Sequence, residues 1–262
     1  MKYCRFETED GPQYGELQQE GGTPWIVRRM PPPEEDLWTR FIDRSFAPMP
    51  MSRARLLAPV TPSKIVCVGR NYHEHAAELG NTVPVEPLLF LKAPSALLAP
   101  AGTIQIPAAS TRVDFEGELA VVIGRRCSKI TAEEDVRQYI RGYTVVNDMT
   151  ARDLQKSDGQ WSRAKGFDTF CPVGPLVTDE VDPDQGIWVE TRLNGELKQR
   201  GSTRDLIFPI AFLLRYITAA MTLLPGDLIP TGTPAGVAPM LPGDRVEVTV
   251  EGIGTLANIV AA

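Results

Sequence analysis

Apolar residues along this chain occur mainly in short runs and alternations, a pattern that predicts many strands and few long helices. From Met1 to Arg29, strand-like segments are separated by the turn residues Asp10-Gly11-Pro12 and Gly21-Gly22. Two proline-dense stretches follow, and the apolar run Lys64–Val68 then predicts a buried strand. We therefore predict a small N-terminal β subdomain over residues 1–56 and a main domain over residues 57–262.

The main domain contains further strand patterns separated by turn residues. The dipeptide Asn194-Gly195 is a strong hairpin signal. Gly252-Ile253-Gly254 opens a G-x-G-x-x-A pattern, but no helix can follow it, so a dinucleotide site is not predicted. The strands predicted after Lys64–Val68 are Phe115–Gly124, Tyr143–Asn147, Ile187–Leu193, Glu196–Gln199, Arg245–Glu251 and Thr255–Val260.

Short helices lie between these strands. Asn71 with Glu74 and Thr131 with Glu134 both have the spacing of a capping box, which marks a helix start. The predicted helices are Tyr72–Leu79, ended by Gly80, then Thr131–Arg141 and Pro209–Met221. The predicted fold class is mainly β with short helices (α+β).

Composition and charge narrow the function classes. The 22 glycines and 23 prolines favour many short strands, and a net charge of −6 argues against a nucleic-acid surface. No signal peptide is visible, and the longest apolar stretch, Ile210–Leu224, is too short to span a membrane. A cytoplasmic protein with reduced thiols is expected, because four cysteines are scattered along the chain: Cys4, Cys67, Cys127 and Cys171.

One acidic row is the strongest candidate for chemistry. In a strand, Asp114, Glu116 and Glu118 share a face, and that face leads into an apolar run. Taken alone, such a row is more often a solvated sheet edge. Asp148 changes this interpretation, because it ends a second strand and could join the row at one cleft. Three carboxylates without a thiolate or imidazole suit Mg²⁺ or Mn²⁺ better than Zn²⁺.

The chain has two histidines, and both lie in the first predicted helix. His75 and Glu78 are at i and i+3, so the carboxylate can orient the imidazole of a general acid or base. The alternative is a solvated helical pair, and we expect His73 to be exposed. Lys165 lies in a predicted loop beside a glycine, where it could hold an anionic oxygen, although most loop lysines are merely solvated. The turn Thr231–Gly236 could cradle a carboxylate.

Several motifs taken together resemble the fumarylacetoacetate hydrolase family. The resemblance runs in order from about Lys64 to Val260, and the N-terminal part looks like that of the 2-hydroxyhepta-2,4-diene-1,7-dioate isomerases. The combination is specific, although each motif alone is not. The motifs are Val68-Gly69-Arg70-Asn71-Tyr72, Asp114-Phe115-Glu116-Gly117-Glu118-Leu119, Asn147-Asp148-Met149-Thr150-Ala151-Arg152-Asp153-Leu154-Gln155, Lys165-Gly166-Phe167-Asp168 and Thr231-Gly232-Thr233-Pro234.

The resemblance implies a β-roll, a homodimer and a Mg²⁺ or Mn²⁺ site. The family ligands fall on Glu116, Glu118 and Asp148. Family substrate contacts fall on Arg152, Gln155, Lys165 and Thr233, and the dyad of related acylpyruvate hydrolases and oxaloacetate decarboxylases falls on His75 and Glu78.

These expectations combine into a functional hypothesis. The chain is predicted to be a metal-dependent enzyme that acts on small 2-oxo acids through a metal-stabilised enolate. C–C bond hydrolysis, decarboxylation and keto–enol isomerisation would all be accessible to one site, with His75, Glu78 and Lys165 as catalytic residues. The alternative from another class is a non-catalytic, metal-containing β scaffold or binding protein, which would not need the spare lysine or the histidine.

Overall fold

Strands make up most of the regular secondary structure, which confirms the predicted mainly β class with short helices. The computed structural model describes residues 1–78, 80 and 82–262. In these residues the strands are β1 Lys2–Thr8, β2 Gly11–Glu20, β3 Thr23–Met30, β4 Met49–Pro50, β5 Leu56–Leu57, β6 Ile65–Gly69, β7 Leu88–Lys92, β8 Leu97–Leu98, β9 Thr103–Gln105, β10 Val113–Asp114, β11 Gly117–Ile123, β12 Ile140–Asn147, β13 Thr150–Ala151, β14 Cys171–Thr178, β15 Trp188–Leu193, β16 Glu196–Ser202, β17 Leu228–Pro230, β18 Arg245–Val250 and β19 Gly254–Ala261. The α-helices in the same residues are α1 His73–Glu78, α2 Arg152–Ser157, α3 Ser162–Gly166 and α4 Ile210–Ala220.

Strand β11 lies inside the larger sheet, hydrogen-bonded to β12 on one side and to β17 on the other. All of its residues are buried. Leu119, Val121 and Ile123 pack in one core cluster, whereas Ala120 and Val122 pack in another. Because both faces of the strand are covered, its sequence is a continuous apolar run rather than an alternation.

A second sheet, in the order β16-β15-β18-β19-β9, packs against β11, β12 and β14 of the first. Its hairpin between β15 and β16 confirms the prediction for Asn194-Gly195. Asn194 has φ 53° and Gly195 has φ 84°, the left-handed backbone that a two-residue hairpin turn requires. The hairpin of β18 and β19 is also confirmed, and the glycine pattern at residues 252–257 lies within it.

The N-terminal strands β1, β2 and β3 form an antiparallel meander, as predicted for this region. β1 also pairs with β14, where Lys2 lies opposite Thr178, so the meander extends the larger sheet. Residues 31–48 then run outside regular structure. The division into domains at residue 56 stays a prediction.

The predicted helix Thr131–Arg141 is wrong. Glu134 accepts the backbone N–H of Thr131 at 2.8 Å, so one half of the capping pattern forms. The chain then makes only a single 3₁₀ turn, Val136–Tyr139, and β12 begins directly after it at Ile140. Pairing of β12 with both β11 and β14 takes these residues into the sheet and outweighs a local helix signal.

The first predicted helix is confirmed as α1, although its predicted end at Leu79 lies outside the described residues. Its predicted cap is wrong. The side chain of Asn71 is fully buried and donates from Nδ2 to the carbonyl oxygens of Phe208 (3.1 Å) and Thr231 (2.8 Å). Asn71 therefore joins three distant segments instead of capping the helix.

The third predicted helix is confirmed as α4, which is flanked by Pro209 and Met221. No helix among the described residues is long and apolar enough to cross a membrane. The four cysteines are buried and free, in agreement with the expectation of reduced thiols.

Candidate active site and metal centre

The first glutamate of the E-x-E motif, Glu116, lies at a break between strands β10 and β11, and the second, Glu118, lies in β11. The predicted strand Phe115–Gly124 is wrong at its start, because β10 ends at Asp114 and β11 begins only at Gly117. The intervening backbone is fixed from the neighbouring strand. The N–H of Glu116 donates to Asn147 Oδ1 at 2.9 Å, and the N–H of Asp148 donates to the carbonyl oxygen of Glu116 at 2.8 Å.

This backbone pairing brings the three predicted metal ligands together. One ligand oxygen each from Glu116, Glu118 and Asp148 lies within 4.8 Å of the others, and all three residues are buried. Three anionic groups at this spacing repel one another strongly inside a protein. Nearby positive charge must therefore compensate them.

Two of the three carboxylates are paired with buried cations. Lys165 Nζ donates to Glu116 Oε2 at 2.6 Å and to Asp148 Oδ2 at 2.8 Å. Arg152 Nη2 donates to Glu116 Oε1 at 2.5 Å, and Lys92 Nζ donates to Asp148 Oδ1 at 2.7 Å. Burial alone would raise the pKa of Glu116, but Lys165 and Arg152 hold it well below its usual value. Burial alone would lower the pKa of Lys165, but Asp148 and Glu116 raise it, so this lysine is protonated at neutral pH.

Glu118 is different, since no lysine or arginine of the described chain forms an ion pair with it. Its Oε2 accepts the backbone N–H of Gly232 at 2.7 Å. Burial and the carboxylates of Asp148 and Glu116 raise its pKa well above the usual value. A divalent cation between the three carboxylates would offset the free-energy cost of keeping Glu118 charged in this buried position. The all-oxygen donor set thus fits a hard ion such as Mg²⁺ or Mn²⁺, held by Glu116, Glu118 and Asp148.

Arg152, predicted to contact substrate, is held in place at the start of α2. Its Nε donates to Asp114 Oδ2 at 2.8 Å, and its Nη1 donates to Gln155 Oε1 at 3.0 Å. Asp114 is fully buried and also accepts from Arg112 at 2.9 and 3.0 Å. Asp114, the first residue of the predicted acidic row, therefore positions Arg152.

His75 and Glu78 form the predicted pair on α1. His75 Nδ1 lies 3.4 Å from Glu78 Oε2, and His75 is buried. Burial lowers the pKa of His75 and outweighs the nearby Glu116 carboxylate, which alone would raise that pKa. The imidazole is therefore neutral at neutral pH. The backbone N–H of Gly236 donates to both oxygens of Glu78, at 3.0 and 3.2 Å. His73 is exposed, as expected.

The turn at residues 231–236 holds carboxylates of the chain itself, because Gly232 donates to Glu118 and Gly236 to Glu78. The same turn fixes Thr233. Its hydroxyl donates to the carbonyl oxygen of Gly117 at 2.9 Å and accepts from Gln199 Nε2 at 2.8 Å. The turn therefore connects Glu78 with Glu118, one of the predicted metal ligands.

A single cavity of about 310 Å³ collects most of the predicted site residues. Asp148 and Glu78 do not line the cavity, but each contacts a residue that does: Asp148 pairs with Lys165, and Glu78 contacts His75. The predicted residues that line the cavity are His75, Glu116, Glu118, Arg152, Gln155, Lys165 and Thr233.

The structure also corrects and extends the sequence interpretation. Lys165 lies in helix α3 and not in a loop. Lys92, which pairs with Asp148, was not predicted, although a lone lysine at the end of the apolar segment Leu88–Lys92 is a signal for it. Six further lining residues were not among the predicted site residues: Val68, Gly69, Arg70, Phe90, Lys156 and Trp161.

Comparison with known proteins places this geometry in a family context. A crystal structure of a 2-hydroxyhepta-2,4-diene-1,7-dioate isomerase from Mycobacterium marinum superimposes with a TM-score of 0.85 and 44% identity, covering 100% of this chain and 98% of that one. A Mycobacterium tuberculosis relative, Protein Rv2993c, is 46% identical over 98% of this chain and 97% of its own length. An oxaloacetate tautomerase of Bacillus subtilis, YisK, is 41% identical over 79% of this chain and 73% of its own length.

The family model described as fumarylacetoacetate (FAA) hydrolase C-terminal matches residues 64–261. Members of this family are enzymes that isomerise or hydrolyse small acids, generally with a divalent metal ion. This agrees with the buried acidic cluster and the cavity beside it. The chain belongs to the fumarylacetoacetate hydrolase family.

Proposed function

We propose that this enzyme catalyses keto–enol isomerisation of a small 2-oxo acid, in a reaction that depends on Mg²⁺ or Mn²⁺. The observation that carries the proposal is the shared cavity. It is lined by two of the clustered carboxylates, by the protonated Lys165 and by the neutral His75. The similarity to an isomerase and to an oxaloacetate tautomerase supports the same reaction class.

In this proposal, some residues of the chain stabilise negative charge on the substrate and others transfer protons. A divalent cation held by Glu116, Glu118 and Asp148 would supply Lewis acidity to the oxygens of the 2-oxo acid. Lys165 is protonated and cannot act as a base, so its role is to stabilise negative charge on an enolate oxygen. Arg152, fixed by Asp114, orients a substrate carboxylate.

Proton transfer is assigned to His75. A neutral imidazole can take the proton from C3 of the keto form, and the resulting imidazolium can give a proton to the enolate oxygen on C2, which completes the enol. In the reverse direction, the enol hydroxyl loses a proton while C3 gains one. Glu78 stabilises the charged imidazole and is itself held by Gly236.

Hydrolysis of a C–C bond is the second candidate, since a neutral His75 could equally take a proton from water. Decarboxylation would need the same enolate stabilisation. The homodimer implied by the family resemblance and the cytoplasmic location stay predictions.

A metal-depletion assay tests the proposal. Protein treated with EDTA should not accelerate the conversion of enol to keto oxaloacetate, and added Mg²⁺ or Mn²⁺ should restore the rate. Release of acetate from acetylpyruvate and of CO₂ from oxaloacetate, measured in parallel, reports hydrolysis and decarboxylation. Full activity after EDTA treatment contradicts the proposal, and faster acetate release than enol conversion favours hydrolysis.

A further inference from the structure

Two cations that line the cavity, Arg70 and the exposed Lys156, are not used by the site described above. Arg70 lines the cavity directly after β6, and its Cζ lies 6.0 Å from the centre of the Trp161 ring. Among residues 1–78, 80 and 82–262, no carboxylate forms an ion pair with this guanidinium. Lys165 and Arg152, in contrast, are bound to carboxylates of the chain. The charge of Arg70 is thus available to a ligand.

The backbone holds Arg70 in an unfavourable conformation. Its φ is 56°, in the left-handed region that costs a residue with a side chain about 1–2 kcal/mol. Gly69, just before it, lies against Trp161, and a Cβ atom there would be 3.1 Å from ring atom Cζ3. The missing side chain lets the indole ring pack under the arginine. Strained residues that persist in a fold are concentrated at functional sites.

Two aromatic rings connect Lys165 with Arg70 through a chain of contacts. Lys165 Nζ lies 4.7 Å from the centre of the Phe90 ring. The Phe90 ring centre lies 5.3 Å from that of Trp161, which in turn contacts Arg70. This side of the cavity therefore has a charged end at Lys165, where a 2-oxo acid can bind. Its middle is apolar, formed by Phe90 and Trp161, and its far end is cationic at Arg70.

We propose that Arg70 binds a second carboxylate at the far end of the substrate and selects dicarboxylic over monocarboxylic 2-oxo acids. The proposal rests on the proposed function, because it assumes that the 2-oxo acid group binds at the metal end. A guanidinium can hold a carboxylate with two parallel hydrogen bonds, and the rings of Phe90 and Trp161 suit the carbon chain between the two ends. Lys156, exposed on the cavity wall, adds positive charge nearby.

A purely structural role is the competing explanation. Arg70 would then only stack on Trp161, an interaction that contributes to stability. Its removal would lower the melting temperature without changing the preference between ligands. Selectivity is therefore the property that separates the two roles.

The test compares ligands that differ only at the far end. Calorimetry with the Mg²⁺-loaded protein measures the affinities of 2-oxoglutarate against 2-oxopentanoate and of 2-oxoadipate against 2-oxohexanoate. In each pair a terminal carboxylate replaces a methyl group. The wild type should prefer the dicarboxylate of at least one pair by about tenfold or more, as expected for a charged hydrogen-bonded pair. Arg70→Gln should abolish the preference and leave the affinity for the monocarboxylate unchanged, whereas Arg70→Lys should keep part of it.

Arg163→Gln is the matched control. It removes an exposed arginine of α3 that pairs with Asp158 and does not line the cavity, so the preference should persist. An unchanged preference in Arg70→Gln overturns the proposal. An equal loss of affinity for both members of a pair, together with a lower melting temperature, also overturns it. If the wild type with Mg²⁺ binds neither member of either pair, the proposed function fails as well.

Discussion

The Nζ atom of Lys92 lies 2.7 Å from Oδ1 of Asp148, and both side chains are buried. The same ammonium donates to the carbonyl oxygen of Met149 at 3.2 Å, which fixes its position. Asp148 is thus held from one side by Lys92 and from the other by Lys165. This arrangement orients a proposed metal ligand through its neighbours, a role that outer residues commonly have in metal sites.

Lys92→Met should weaken Mg²⁺ binding by about 10–100-fold, because Asp148 loses one of the contacts that orient it. Titration calorimetry of the EDTA-treated protein with Mg²⁺ measures the affinity. Lys64→Met is the matched control, since Lys64 pairs with the buried Asp227 away from the cavity. Both variants should lose stability, but only the first should lose metal affinity. Equal Mg²⁺ affinities in the two variants would falsify the positioning role of Lys92.

Glu118→Gln should separate metal binding from folding. The Glu118 carboxylate is buried without a cationic partner in the described chain, and burial and its neighbouring carboxylates disfavour its charged form, so replacement by the neutral amide should not lower the melting temperature in EDTA. Saturating Mg²⁺ should stabilise the wild type, by about 2.7 kcal/mol at a concentration 100 times the Kd, and should not stabilise the variant. Thermal unfolding of both proteins in EDTA and in Mg²⁺ measures this. A variant that Mg²⁺ stabilises as much as the wild type contradicts the ligand assignment.

The core of the site was predictable from the sequence for a local reason. Glu116 and Glu118 are two residues apart and lead into a buried run, and the family motif adds Asp148. Arg70 and Lys92 were missed because their roles depend on contacts that only the folded chain forms. Arg70 lies over the ring of Trp161, and Lys92 donates to Asp148. Sequence spacing does not carry that information.

In the fold, too, features set by neighbouring residues were predictable and features set by distant contacts were not. The hairpin at Asn194-Gly195 was predictable because left-handed backbone is a property of those two residues. The helix predicted from Thr131 and Glu134 was wrong, because a capping signal is local and pairing of β12 in the sheet is not. Asn71 has a capping spacing and yet joins segments more than a hundred residues away.

Glu78→Gln should lower kcat for enol conversion and leave KM nearly unchanged, because the residue supports His75 and does not line the cavity. His75→Asn should cost more, about 10²–10⁴-fold in kcat, the usual contribution of a general acid or base. Steady-state kinetics measure both. Glu74→Gln, an exposed position of the same helix, is the control and should behave as the wild type. The dyad assignment is wrong if Glu78→Gln is no slower than this control.

Gly117 is the first residue of β11, and Gly117→Ala should destabilise the protein. A Cβ atom there would lie 2.1 Å from Thr191 Oγ1 and 2.8 Å from Val248 Cγ1, so the packed sheets would have to separate. Overpacking of this kind costs about 1–3 kcal/mol. Urea unfolding measures the loss. In the control Gly166→Ala, the nearest atom is the backbone nitrogen of Ala93 at 3.8 Å, so no loss of stability is expected. Equal stabilities of the two variants contradict this account.

Asp36 should stabilise the N-terminal region in a pH-dependent way. This buried carboxylate accepts from Tyr14 Oη at 2.9 Å and from Thr39 Oγ1 at 2.7 Å, and Arg5 Nε lies 3.4 Å away. Burial alone would raise its pKa, but the hydrogen bonds from Thr39 and Tyr14 and the charge of Arg5 hold it below the usual value.

A depressed pKa means that the folded state prefers the charged carboxylate. Its stabilising effect is therefore complete above the unfolded pKa of about 3.9 and is lost as the pH falls through the lower folded value. Asp36→Asn should cost about 1–3 kcal/mol at neutral pH, and its difference from the wild type should shrink below about pH 3.9. Urea unfolding across pH measures this, with the exposed Asp43→Asn as control. If Asp36→Asn is as stable as that control at neutral pH, the hydrogen bonds of Asp36 do not stabilise the fold.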